Sequence, residues 1–279
     1  MSVPAPDSPF FRASASARRR RERPPLALAL AGGLGAALFA LPLLGLVAKA
    51  PWASAVGELR APESLDALRL SLVCSLSATA IALLLGVPLA WLQARAEFPG
   101  RSLLRALTTL PMVLPPVVGG VALLLAFGRQ GLLGRYLFDA FGIRLPFTTA
   151  GVILAEAFVA MPFLVITVEA GLRSMNRRLE EAARTLGAGR WRVLTRVTLP
   201  LVAPSIFAGA VLSWSRALGE FGATITFAGN FPGRTQTLPL AVYLLLETRP
   251  QAAVILSLVL VAVSLAVLVG LRDRYWVAA

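Results

Sequence analysis

Six stretches of almost unbroken apolar side chains divide the chain, at about residues 26–48, 68–92, 104–127, 150–171, 201–220 and 251–271. A helix rises ~1.5 Å per residue, so a stretch of about 20 residues reaches across a ~30 Å hydrocarbon layer. The pattern predicts an all-α integral membrane protein with six transmembrane helices. Glycine and proline recur inside the stretches. Spanning helices tolerate them because neighbouring helices and hydroxyl groups take up the freed backbone groups. The fifth boundary is the softest, since apolar residues continue past Glu220 to about Ala228. Within the third stretch, the run from Pro116 to Gly120 ("PVVGG") is a candidate flexible point.

The polar positions between these stretches give an orientation. Eighteen arginines fall on the side that receives the N-terminal tail, the 93–105 loop, the insert before the fifth stretch with its approach, and the C-terminus. Eight arginine and lysine residues fall on the other side, and Arg216 lies inside a stretch. Basic loops stay on the cytoplasmic face, so both termini and the insert belong there, in a multi-pass protein of the cytoplasmic membrane. Residues 1–25, rich in Pro, Ser, Ala and Arg, cannot bury a core and read as a disordered basic tail that can rest on anionic lipid. A cleaved leader fits less well, because the first apolar stretch exceeds the usual ~7–15 residues and Pro51 directly follows the "AKA" at 48–50.

Composition narrows the chemistry. With 57% hydrophobic and 15% charged residues, the chain lacks the polar cover of a soluble domain. The net charge of +13 is carried in short clusters between apolar runs, not along one soluble face, so no nucleic-acid partner is expected. There is no histidine, which excludes His-containing metal sites and triads, and the single cysteine, Cys74, can form no disulfide within the chain.

Between the fourth and fifth stretches lies a charged insert, Arg177 to Pro200 ("RRLEEAARTLGAGRWRVLTRVTLP"), with two adjacent glutamates and six arginines. Leu179, Ala182, Ala183 and Leu186 recur at i, i+3, i+4 and i+7 and share one helical face. Asn176 can cap this helix, and Glu180 and Glu181 in its first turns suit the helix dipole. Gly187 and Gly189 interrupt it. A second short helix is expected from about Trp191 until Pro200 ends the pattern and the next span begins. The result is a handle: two short helices with a glycine elbow, tethered to a span at each end. It suits a docking protein or a bed of lipid headgroups. Glu181-Ala182-Ala183 favours docking, because small residues admit close approach and a carboxylate sits poorly against an anionic leaflet.

This insert resembles the cytoplasmic loop signature of ABC importer permeases: Glu-Ala-Ala, three residues, Gly, nine residues, Ile, one residue, Leu-Pro. Glu181, Ala182, Ala183, Gly187, Leu199 and Pro200 hold those places, with Val197 where isoleucine is usual. The resemblance covers about residues 26–279 and implies the type I ABC importer permease fold. It also implies that the 176–200 loop forms coupling helices seated in a cleft on a separate cytoplasmic ABC ATPase subunit. ATP is then bound by that partner, and this chain holds no cofactor, metal or catalytic residue. Independently, the only lysine is Lys49, followed by Ala50, so the Gly-Lys-Ser/Thr of a phosphate-binding loop is absent.

The stretch from Arg216 to Glu247, with "GEFGA", "FAGN" and "GRTQTLPL", resembles molybdate permease subunits, with sulfate permeases as nearest relatives. That implies a homodimer fed by a periplasmic or extracellular oxyanion-binding protein and working by alternating access. A path for a divalent oxyanion should avoid unpaired carboxylates and offer hydroxyls, amides and arginine. Arg216, Glu220 and Glu156 are the candidate pathway or gate residues. Arg216 and Glu220 stand at i, i+4 and can pair, either locking the packing or lining the gate. Glu156, inside the fourth stretch, should face protein or water, with either of them as partner. Arg129, Arg135, Arg144, Arg234 and Arg249 in the outward loops are a wet surface or a landing surface for the binding protein. An ion-driven secondary transporter would carry inverted repeats and ionisable residues near the midplane; no repeat is visible, and Glu156 alone is thin support. Molybdate, tungstate and sulfate are too alike in size and charge for sequence to rank them.

Overall fold

The computed structural model describes residues 25–275. It contains α1 (Leu26–Ala48), α2 (Ala55–Arg60), α3 (Pro62–Arg95), α4 (Arg101–Val113), α5 (Pro116–Phe127) and α6 (Gly134–Phe141). These are followed by α7 (Thr149–Ser174), α8 (Arg178–Thr185), α9 (Arg190–Leu218), α10 (Gly222–Ala228), α11 (Leu238–Thr248) and α12 (Pro250–Tyr275). No strand occurs among the described residues. Apart from Pro25, the expected basic tail lies outside them. The chain forms two units, one ending at Ala48 and the other beginning at Lys49. Within the first, α1 is apolar around its whole circumference.

Helices α1, α3, α7, α9 and α12 are each long and apolar enough to cross a membrane. The third expected span differs: it is two helices, α4 and α5, that break at Leu114 and Pro115. Leu114, held before a proline, turns extended (φ −64°, ψ 138°), and Pro115 follows at ψ 131°. A residue preceding proline is pushed out of the α region, and proline itself offers no N–H. The expected flexible point at Pro116 to Gly120 therefore shifts to the residues before it. Gly119 and Gly120 lie inside α5 and serve packing instead. A Cβ on Gly120 would stand 2.6 Å from Thr226 Cβ and 2.9 Å from the Ala223 carbonyl oxygen of α10. The soft boundary of the fifth span resolves in the same way: α9 stops at Leu218, and the apolar residues beyond form the separate α10.

In the second unit α7 is the central element, packed by α3, α4, α5, α9 and α10. Two apolar clusters meet it at different heights. Leu164, Val165, Val168 and Leu172 pack with Ala82, Ala90 and Val202, while Ala155 and Val159 pack with Leu123, Ala223 and Phe227. Small residues bring the backbones together, as interfaces between membrane helices require. A Cβ on Gly171 would stand 2.6 Å from Ser205 Cβ of α9. Interhelical hydrogen bonds fix the register further. Trp214 Nε1 donates to Ser75 Oγ at 2.9 Å, and the Leu238 N–H donates to Ser71 Oγ at 2.6 Å.

Candidate functional site

The handle begins where Asn176 Oδ1 accepts the Arg178 N–H at 3.1 Å, as the sequence suggests. It ends in a double closure. The Gly187 N–H donates to the Arg184 carbonyl at 2.9 Å, and the Ala188 N–H to the Ala183 carbonyl at 3.0 Å. This pattern needs a left-handed residue after the last turn, and Gly187 supplies it at φ +84°. No atom lies within 4 Å of where its Cβ would sit, so the backbone angle alone selects glycine there. Gly189 (φ −64°, ψ 159°) then opens α9.

The second helix does not stop at Pro200. It continues into the fifth span as one rod from Arg190 to Leu218. The join is a π turn over Leu194–Thr198, in which the Leu199 N–H donates to the Leu194 carbonyl five residues back. In a regular α-helix, Pro200 would press on the carbonyl of Arg196 and leave it unbonded; a widened turn at that level removes the conflict. The same device precedes Pro88, where Ala82–Gly86 forms a π turn within α3. Leu199 and Pro200 thus sit inside a continuous lever.

The two glutamates have opposite surroundings. Glu180 is buried, and its Oε1 accepts from Thr198 Oγ1 at 2.7 Å and pairs with Arg95 at 3.4 Å. One carboxylate therefore ties α8 to α9 and to the end of α3. Glu181, one residue on, is exposed together with Ala182. A second anchor is Glu169 of α7, which accepts from Arg105 of α4 at 2.6 Å and from Arg173 at 2.7 Å. Arg101 and Arg105 also donate to the Gln93 carbonyl at 2.8 and 3.2 Å. Sequence reasoning counted these arginines only as orientation signals and missed Glu169, Arg95 and Thr198. The Glu180–Glu181 doublet carried a partial signal, since neighbours on a helix point about 100° apart and so can face different surroundings.

The apolar face expected of α8 points away from its own bundle. Leu179 is 47% exposed and Leu186 89%. This is a rigidly held, outward apolar surface flanked by arginines, suited to receiving another protein's groove.

The second group of expected residues lies in the interior of the helices. Arg216 pairs with Glu220 Oε2 at 2.5 Å, and Glu220 Oε1 accepts the Ala223 N–H at 2.9 Å. Glu220 thus neutralises the end of α9 and caps the start of α10. Glu156 of α7 is equally buried, close enough for its carboxyl to interact with that of Glu220. Its Oε2 has no hydrogen-bond partner among the described residues, and the same holds for Ser213 Oγ and Thr224 Oγ1. The structure therefore gathers Arg216, Glu220 and Glu156 in one polar region, with both carboxylates buried and Arg216 half-buried. Of the arginines expected in the outward loops, Arg129 and Arg144 stack on Phe138, Arg135 lies over Tyr136, and Arg249 pairs with Glu63.

Comparison with known proteins agrees with this architecture. A family described as binding-protein-dependent transport system inner membrane component matches residues 82–275. The molybdenum transport system permease protein ModB of Mycobacterium tuberculosis is 48% identical over 240 residues, 86% of this chain and 90% of that protein. ModB of Escherichia coli is 45% identical over 213 residues, 76% and 93% of the two chains. The sulfate transport system permease protein CysT of Escherichia coli is 38% identical over 227 residues, 80% and 82%. Among solved structures, a bacterial ABC transporter that imports the acidic polysaccharide alginate superposes with a TM-score of 0.69 at 21% identity, covering 89% of this chain and 93% of that one. The fold is thus that of these membrane subunits, and the chain is a member of the family of inner membrane components of binding-protein-dependent transport systems.

Proposed function

We propose that this chain is the membrane-spanning subunit of an ATP-driven importer of molybdate. Two copies form the path, a separate cytoplasmic ATPase grips residues 177–200, and an external binding protein delivers the anion. The arginine bias supports a cytoplasmic handle and cytoplasmic termini. The observation that carries the reading is the handle itself: an outward apolar face on α8, tied through Glu180 and Thr198 to α9, a rod that runs without a break from Arg190 to Leu218. Force applied at Leu179, Ala182 and Leu186 is transmitted to α9 and its Arg216 end as rigid-body motion. Closure of the ATPases then opens the path outward, and hydrolysis resets it. The chain performs no covalent step. The resemblance of its Arg216–Glu247 region and the identity to the two ModB proteins support molybdate as cargo.

Uptake into vesicles holding the chain with its cognate ATPase and binding protein tests this. Labelled molybdate should enter only with ATP, and excess sulfate should compete weakly. Dominant sulfate uptake overturns the cargo and leaves the mechanism. Uptake without the ATPase overturns the mechanism. Crosslinks from Ala182→Cys should reach the ATPase; capture of phospholipid alone refutes the docking.

A further inference from the structure

Behind the handle, on the side away from its apolar face, a cleft of roughly 720 Å³ opens between the end of α3, α8 and the first turns of α9. Trp91, Arg95, Arg177, Arg184, Arg190 and Trp191 line it. Glu180 and Glu181 also border it, so four guanidinium groups face two carboxylates. Glu180 is already engaged by Thr198 at 2.7 Å, and its 3.4 Å approach to Arg95 is longer than a strong charge-assisted contact. The Arg95 side chain is only 9% exposed, yet its Nε finds no partner among the described residues. Arg177 and Arg184 stand near enough to repel its charge, and neither they nor Arg190 takes part in an ion pair among the described residues. A buried donor left open, in a cleft with excess positive charge, calls for an anion.

We propose that this cleft binds a tetrahedral oxyanion: the phosphate of an anionic phospholipid headgroup, or a free phosphate-type ion of the same shape. Planar guanidinium forks match such oxygens in pairs. Arg95 ends one helix that is long and apolar enough to span, and the cleft takes in the first turns of another, α9, a place that matches headgroup depth. Trp91 and Trp191 are the side chains that favour that depth, and basic pockets between membrane helices take anionic headgroups. Most of the lining belongs to the 177–200 handle that the proposed ATPase grips, so the cleft is tested on the chain without that partner, where failure of the site and failure of the docking are read separately.

The test uses the full chain in nanodiscs, with thermal melting and native mass spectrometry as readouts. In one arm, phosphatidylglycerol is titrated into phosphatidylcholine discs; in the other, inorganic phosphate is added to discs of phosphatidylcholine alone. A saturable rise in melting temperature in the first arm, with retained phosphatidylglycerol, identifies a lipid headgroup. The same rise in the second arm alone identifies a free ion. Arg184→Gln with Arg190→Gln, which spares the Arg95–Glu180 pair, should weaken apparent affinity about tenfold or more, the scale of losing one charge-assisted contact. Arg192→Gln, on α9 but outside the cleft, should leave it unchanged. The proposal is overturned if neither anion shifts the melt, or if Arg192→Gln weakens binding as much as the double variant. It is also overturned if the double variant only impairs capture of the ATPase, which would make a partner carboxylate the occupant.

Discussion

Replacing Glu180 should uncouple the handle without disturbing the surface that it presents. Glu180→Ala removes the acceptor for Thr198 Oγ1 (2.7 Å) and, among the described residues, the only carboxylate paired with Arg95, whose side chain is 9% exposed. Breaking a buried ion pair by deleting one partner costs about 3–5 kcal/mol, because the remaining charge stays buried and unpaired. Glu180→Gln keeps an oxygen for Thr198 and forfeits mainly the charge; with the Arg95 contact already long, about 1–2 kcal/mol is expected. Glu181→Ala, one residue away and exposed, should cost within about 0.5 kcal/mol of fold stability. The loss in Glu180→Ala should be local, since Glu169 still holds α4 to α7. Hydrogen exchange across 178–198 should therefore accelerate, by about a hundredfold to several thousandfold if the full cost appears as local opening, while α7 and α10 stay protected. ATP turnover should persist with reduced uptake per ATP. Equal exchange rates in the Glu180→Ala and Glu181→Ala proteins would refute this assignment of opposite roles to the two neighbours.

Three further outcomes test other parts of the structure. Gly187→Ala should cost about 1–2 kcal/mol at the elbow from backbone angle alone, because no neighbour lies within 4 Å; normal membrane abundance with weaker ATPase capture is the expected pattern, and unchanged capture would count against a fixed elbow. Gly120→Ala drives a methyl to 2.6 Å from Thr226 Cβ and 2.9 Å from a backbone oxygen, so α5 and α10 must part at about 1–3 kcal/mol; its melting temperature in detergent should fall, whereas Gly57→Ala, with open space around it, should melt like the parent. Arg216→Ala strands Glu220, which is 1% exposed, and should lower uptake more than membrane abundance; adding Glu220→Gln should recover abundance and not uptake, and parallel loss of both in the single variant would assign the pair to packing alone.

How much of this was legible beforehand depends on the range of each interaction. Apolar runs report burial in lipid whatever the partner, so α1, α3, α7, α9 and α12 could be read directly. Averaged hydropathy cannot see a change of backbone direction, which is why the third span hid the break at Leu114 and Pro115 although the Pro115–Pro116 pair was in plain view. Pro200 misled in the opposite sense. Read as a stop, it is carried inside a helix because the turn before it widens, and that choice depends on strain shared among several carbonyls. Contacts such as Arg105 with Glu169, or Arg95 with Glu180, join residues 64 and 85 positions apart, and no local period encodes them. The glutamate doublet lies between these cases. Its spacing lets the two members face different surroundings; only the positions of Thr198 and Arg95 decide that Glu180 turns inward. Glu181 is thereby left outside, where the loop signature begins, so the inward neighbour rather than the signature residue holds the handle in place.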